Sequence, residues 1–129
     1  MRRIIALTTL ALVITGATAF GSTLGGSYKT KIKGNKVPAF NATWVLNFKA
    51  GSKYTIARNG AIVVRGKDTI TAKRIKFGQE KGSYACLGKL ASGTYSWTLK
   101  SSKLTLKSVN DRCPGRKIIL TSQPLTKIK

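Results

Sequence analysis

From residue 26 onward, apolar and polar residues of this chain trade places with period two. Tyr28, Thr30 and Ile32 alternate with Lys29, Lys31 and Lys33, so one side of the segment reads as buried and the other as solvated. Gly34, Asn35 and Pro38 break the pattern and mark 34–42 as a connection. Trp44, Leu46 and Phe48 then share a face, with Val45, Asn47 and Lys49 opposite. After the Gly51-Ser52 turn, Tyr54 and Ile56 mark a third strand. Asn59-Gly60 is a type I′ hairpin signal and joins 53–58 to Ala61–Arg65. Gly66 predicts a bend or bulge before Asp68–Thr71 continues the strand. Ala72-Lys73 reads as another tight turn before Arg74–Phe77, and the glycines of 78–93 mark a looser stretch. Thr94–Lys100 pairs with Lys103–Val109 across Ser101-Ser102, with Tyr95, Trp97 and Leu99 on one face and Leu104 and Leu106 on the facing one. Lys117–Ser122 reads as the last strand, followed by a short tail ending in Lys127 and Lys129.

That spacing predicts an all-β fold of about eight strands in one antiparallel meander, a barrel or sandwich with no useful amphipathic helix. Closure into a barrel would remove the edges that otherwise invite aggregation. Residues 20–129 form one domain on this reading.

Residues 1–19 read instead as an export signal. Arg2 and Arg3 form the basic start, Ile4–Ile14 the apolar run, and Ala17-Thr18-Ala19 the cleavage site, so that the secreted chain begins near Phe20. The alternative, a membrane anchor, needs about 20 apolar residues and finds too few. An exported protein with two cysteines, Cys86 and Cys113, is expected to join them. Closing a loop of that size stabilises by about 3.5 kcal/mol in the chain-entropy model. A pair of buried free thiols is the alternative.

Charge changes the picture more than any motif. Lysines and arginines number 24, against 3 carboxylates (Asp68, Glu80 and Asp111) and no histidine, for a formal net charge of +21. Such a chain lacks most of the groups that enzymes use for proton transfer and metal binding, so neither catalysis nor a cofactor nor a metal is expected. Its field attracts anions.

The order Gly26-Ser27-Tyr28, Trp44-Val45-Leu46-Asn47-Phe48 with Gly51 and Tyr54, Asn59-Gly60, Ile75-Lys76-Phe77, Gly93-Thr94-Tyr95-Ser96-Trp97, Leu104-Thr105-Leu106 and Val109-Asn110-Asp111-Arg112-Cys113 with Gly115-Arg116 resembles the small secreted bacterial lipocalin-like domains of the calycin type. The likeness runs from about residue 24 to 127. The resemblance implies an eight-stranded up-and-down barrel, open at one end, that binds a ligand. Two departures stand out: lipocalins usually carry Gly-x-Trp on the first strand, where this chain has Tyr28, and acidic hairpin turns of related domains are replaced by Ser101-Ser102.

Candidate sites follow. Tyr28, Trp44, Phe48, Tyr54, Tyr95 and Trp97 would line a cup for a small apolar or aromatic, possibly anionic, ligand, or else fill a solid core. Asp111, Arg112 and Arg116 gather near Cys113, where an arginine would stack on an indole or pair with Asp111 and close the barrel floor. Lys29, Lys31 and Lys33 on one strand, and Lys73, Arg74 and Lys76 on a hairpin, form a surface for acidic polymers or an anionic membrane, or a solubilising coat. Lysines outnumber arginines, and the aromatics fall on the strand face away from the lysines, so dedicated nucleic-acid recognition is not expected. The expectation is a secreted, monomeric binding protein, either a lipocalin-like carrier or a cationic envelope-associated protein.

Overall fold

A computed structural model describes residues 24–129. The expected export signal and the start near Phe20 lie outside the described residues. Eight strands follow one another around a closed antiparallel barrel in chain order. They are β1 (Gly26–Lys31), β2 (Thr43–Lys49), β3 (Lys53–Arg58), β4 (Ala61–Ile70), β5 (Arg74–Lys81), β6 (Gly93–Lys100), β7 (Lys103–Asp111) and β8 (Leu125–Lys127). Closure comes from β8, whose Leu125 and Thr126 face Leu104 and Lys103 of β7 while Thr126 and Lys127 face Lys29 and Tyr28 of β1.

The hairpin chemistry is as its residues dictate. Asn59 and Gly60 sit at φ +48° and +87°, and Ser101 and Ser102 at +49° and +65°, so each two-residue loop has both centres in the left-handed region that matches strand twist. The meander gives the barrel two unlike ends. One end, the turn end, carries only the short turns 50–52, 71–73 and 101–102, together with the two ends of the described chain. The other, the capped end, carries the Asn59-Gly60 turn and the long connections 32–42, 82–92 and 112–124.

One expectation is overturned. Lys117–Ser122 is not a strand: Lys117–Thr121 belongs to an eight-residue helix, α1 (Pro114–Thr121), and Ser122 caps its end. Its apolar run, Ile118 to Leu120, is too short for periodicity to tell helix from strand, and β-branched isoleucines favour the wrong choice. Pro114 in the first turn supplies a helical φ. Helical spacing then brings Arg116, Ile119 and Leu120 to one buried face, which a strand could not do. The expectation of no amphipathic helix fails with it, and the eighth strand is the segment read as a tail. The loose stretch from 78 is also partly ordered, since β5 runs to Lys81. Among the described residues no helix is long and apolar enough to cross a membrane.

The core lies inside the barrel. Trp44, Tyr28, Tyr54, Tyr95 and Phe77 head its fully buried side chains. Phe77 is the hub: Tyr54 and Tyr95 meet it edge-on with ring centroids 4.9 and 5.6 Å away, and Phe48 stacks on it at 6.5 Å. Tyr28 meets Phe48 edge-on at 5.8 Å. Such pairs add to the burial energy of the rings themselves.

Candidate functional site

Two bulges build the most polar feature of the interior. On β5, Ile75 and Phe77 point inward, so strict alternation would send Gln79 in and Glu80 out. Arg65 pairs with Lys81 but Lys67 with Gly78, which leaves Gln79 and Glu80 facing the single residue Gly66. Gln79 takes φ +48°, the phase slips by one, and Glu80 turns inward and is buried. β7 repeats the device. Thr94 pairs with Asn110 and Tyr95 with Ser108, so Val109 is the extra residue, pushed outward, and Asp111 turns in.

The carboxylates so delivered share one guanidinium from α1. Arg116 grips Asp111 through Nε to Oδ2 and Nη2 to Oδ1, both 2.7 Å, and its Nη1 lies 3.2 Å from Glu80 Oε1. Its remaining donor capacity goes to the carbonyls of Ala91 at 2.9 Å and Leu90 at 3.0 Å. Two negative charges face one positive charge, and neutral donors supply the rest. The Tyr54 hydroxyl donates to Glu80 and the Tyr95 hydroxyl to Asp111. The N–H of Cys86 donates to Glu80 Oε1 and that of Cys113 to Asp111 Oδ1, each at 2.9 Å. The disulfide Cys86–Cys113, with its Cα atoms 6.2 Å apart and a sequence separation of 27, ties the two halves together above the clasp.

The electrostatics agree with a closed structural unit. Burial pushes the Asp111 carboxyl up, but hydrogen bonds from Arg116, Tyr95 and the Cys113 N–H outweigh it and hold the group below its ordinary range. Burial, then the neighbouring carboxylates, push the Tyr54 and Tyr95 hydroxyls well above theirs, so both remain donors. Burial works against charge on Arg116 too, yet its bonds to Asp111 and the field of Glu80 raise it. Every carboxylate oxygen of Glu80 and Asp111 has a partner, so the clasp itself presents no free general base. Among the described residues no group of three or more Cys, Asp or Glu side chains could hold a metal ion.

The expected site residues are placed as follows. Tyr28, Trp44, Phe48, Tyr54 and Tyr95 are buried in the interior, and the rings of all but Trp44 pack on one another or on Phe77. Trp97 is half-buried at the turn end, its indole N–H 3.0 Å from the Thr71 carbonyl, and it borders an outer depression of about 440 Å³ between Lys73 and Lys107. Asp111 pairs with Arg116, whereas Arg112 is exposed and stands outside the clasp. The guanidinium of Arg116 turns to carboxylates and carbonyls rather than to an indole; Trp44 instead packs edge-on against Tyr84. Lys29, Lys31 and Lys33 are exposed, as are Lys73, Arg74 and Lys76, but β1 and β5 lie on opposite sides of the barrel, so these are two patches rather than one.

Glu80 is the functional side chain that alternation hides. Asp68 is the other surprise: it too is buried, with Oδ2 lacking a partner, and burial raises its carboxyl. All three carboxylates are thus withdrawn from the surface of the described residues, while every lysine and arginine there is exposed except half-buried Arg58 and buried Arg116. Like charges even face one another across the ladder: Lys49 opposite Lys53, Lys53 opposite Lys67, and Arg65 opposite Lys81. Comparison with protein-family models, with curated proteins and with solved structures finds no match for this chain.

Proposed function

We propose that this is a secreted, non-catalytic binding module that docks on acidic polymers or anionic surfaces through a wholly cationic exterior. One observation carries the reading: all three side-chain carboxylates of the described residues are buried. Solubility alone does not require this, because charge of either sign keeps a protein dispersed and carboxylates do so better than lysines. Cross-strand pairs of like charge cost stability, and the rows at Lys49–Lys53–Lys67 and Arg65–Lys81 are relieved when an anion lies over them. The disulfide is at home in an oxidising compartment, which supports export. The test is retention on an immobilised acidic polysaccharide across a salt series. Retention at physiological ionic strength, about 0.15 M, that falls as salt rises and weakens when Lys53, Lys67 and Lys81 become serine supports the reading. Elution of the wild type below that strength rejects it.

A second reading, a lipocalin-like carrier, is favoured by one detail. Thr30 Oγ1 and Asp68 Oδ2 are buried in the barrel wall without hydrogen-bond partners. A cargo that satisfied them would be apolar or aromatic and would bring a hydrogen-bond donor rather than an anion. Native mass spectrometry of the secreted protein tests this: a stoichiometric small molecule supports a carrier, and a bare mass opposes it.

A further inference from the structure

Among the described residues, exposed large apolar side chains are not scattered. Apart from Ile128 in the C-terminal tail, they are Val37, Ile62, Tyr84, Leu87, Leu90 and Val109. All six belong to the capped end. Val37 lies in the 32–42 connection, Ile62 at the start of β4, Tyr84, Leu87 and Leu90 in 82–92, and Val109 on the bulge near the end of β7. Leu87 is 68% exposed. Isolated surface apolar residues need no explanation, but their gathering at one end of a cationic barrel does.

The segment that carries three of them is held rigidly. Cys86 is tied to Cys113, Arg116 binds the carbonyls of Leu90 and Ala91, and the Tyr84 N–H donates to the Val63 carbonyl at 3.1 Å. Trp44 supports the Tyr84 ring from beneath, with centroids 6.0 Å apart. Apolar side chains displayed on such a platform have already lost the freedom that docking would otherwise remove. The same connections carry Lys33, Lys36, Lys89 and Arg112, all exposed, while Glu80 and Asp111 are sealed below.

We infer that the capped end seats on an anionic phospholipid bilayer. Leu87, Leu90 and Tyr84 enter the interface, and Lys33, Lys36, Lys89 and Arg112 meet the headgroups. This inference rests on the anion-docking reading above and names its surface. A soluble acidic polymer would satisfy the cations but offers nothing to Leu87 and Leu90. A bilayer offers hydrocarbon beneath a layer of negative charge, and an amphipathic tyrosine suits the boundary between them.

The experiment is flotation of the purified protein with vesicles of phosphatidylcholine alone, or mixed with phosphatidylglycerol. The wild type is expected to float with the mixed vesicles and not with the neutral ones. The double variant Leu87→Ser, Leu90→Ser should lose roughly tenfold in vesicle affinity per leucine while its retention on acidic polysaccharide is unchanged. The triple variant Lys36→Ser, Lys89→Ser, Arg112→Ser should lose the preference for phosphatidylglycerol. All five side chains are exposed, so a melting curve matching the wild type is expected and confirms the fold. Equal flotation of the leucine variant and the wild type overturns the inference, as does equal flotation with neutral vesicles. A wild type that binds the polysaccharide but no vesicle overturns the inference and leaves the docking reading standing, whereas one that binds neither overturns both.

Discussion

Glu80 and Asp111, delivered by bulges on two strands that are not paired with each other, are held by the one guanidinium of Arg116. Each carboxylate also takes a tyrosine hydroxyl and the backbone N–H of one partner in the disulfide. The capped end is therefore fastened twice, once covalently and once by charge. Replacing Arg116 by methionine leaves two buried carboxylates without a cation and should cost about 3–5 kcal/mol, measured by denaturant unfolding with the disulfide intact. Lysine at the same position cannot reproduce the two-pronged grip on Asp111 and should rescue little. The cost should shrink as pH falls and the carboxylates take up protons. A loss independent of pH would show that Arg116 acts by packing alone.

The fold is legible in the chain because alternation and hairpin residues agree for most of its length, from Tyr28 through Leu106. The clasp is not, because period two is the rule that it breaks. Counting by twos from Phe77 puts Glu80 outside, and counting from Leu106 puts Asp111 outside; only the slips at Gln79 and Val109 reverse them. A bulge depends on the partner strand, which local sequence does not display. The arginine is findable as a floor residue near Cys113, but Arg112 precedes α1 while Arg116 lies inside it, and that difference is hidden when Lys117–Ser122 reads as a strand. A lone glutamate in so basic a chain was the one available hint of Glu80.

Acid should loosen the clasp. Asp111 is held below its ordinary range in the folded protein, so the stability it contributes is present above the unfolded carboxyl's pKa and is lost as pH falls through the folded value. Tyr95→Phe removes one of the bonds that depress it and should move the acid-unfolding midpoint to higher pH. Unchanged midpoints for Tyr95→Phe would contradict this role.

Asp68 behaves in the opposite sense. Burial raises its pKa, so its contribution is most favourable below the unfolded value and is lost as pH rises through the folded one. Asp68→Asn should raise the melting temperature at neutral pH, and the gain should fade in acid. If Asp68→Asn destabilises at neutral pH, its carboxylate has a partner that the interior does not display.

Reducing Cys86–Cys113, or replacing both by serine, should cost about 3.5 kcal/mol through the released loop. It should also expose the 82–92 connection to proteolysis before the barrel unfolds, because that connection would then hang on Arg116, Glu80 and the contacts of Tyr84 with Val63 and Trp44. Cleavage elsewhere in the barrel at the same rate would contradict a local effect.

Two glycines make room for the clasp. A Cβ on Gly66 would lie 2.7 Å from the Tyr54 ring and from the Gly78 carbonyl, and one on Gly93 would run into the Asp111 carboxylate. Gly66→Ala and Gly93→Ala should each destabilise by about 1–3 kcal/mol through overpacking. Gly25→Ala, with nothing within 4 Å, is the control and should be near neutral.

The exterior predicts a conflict between stability and binding. Lys53 sits between Lys49 and Lys67 across the ladder, so Lys53→Glu turns two repulsive pairs into attractive ones. Each cross-strand charge pair contributes about 0.2–1 kcal/mol, so the variant should be more stable, most visibly at low salt. The same change places a side-chain carboxylate on the surface, where the described residues bury all three of theirs, and should weaken retention on acidic polysaccharide. A variant that gains stability and loses binding would mean that the row is kept for its partner. One that gains stability and binds as before would reduce the row to a coat that happens to be positive.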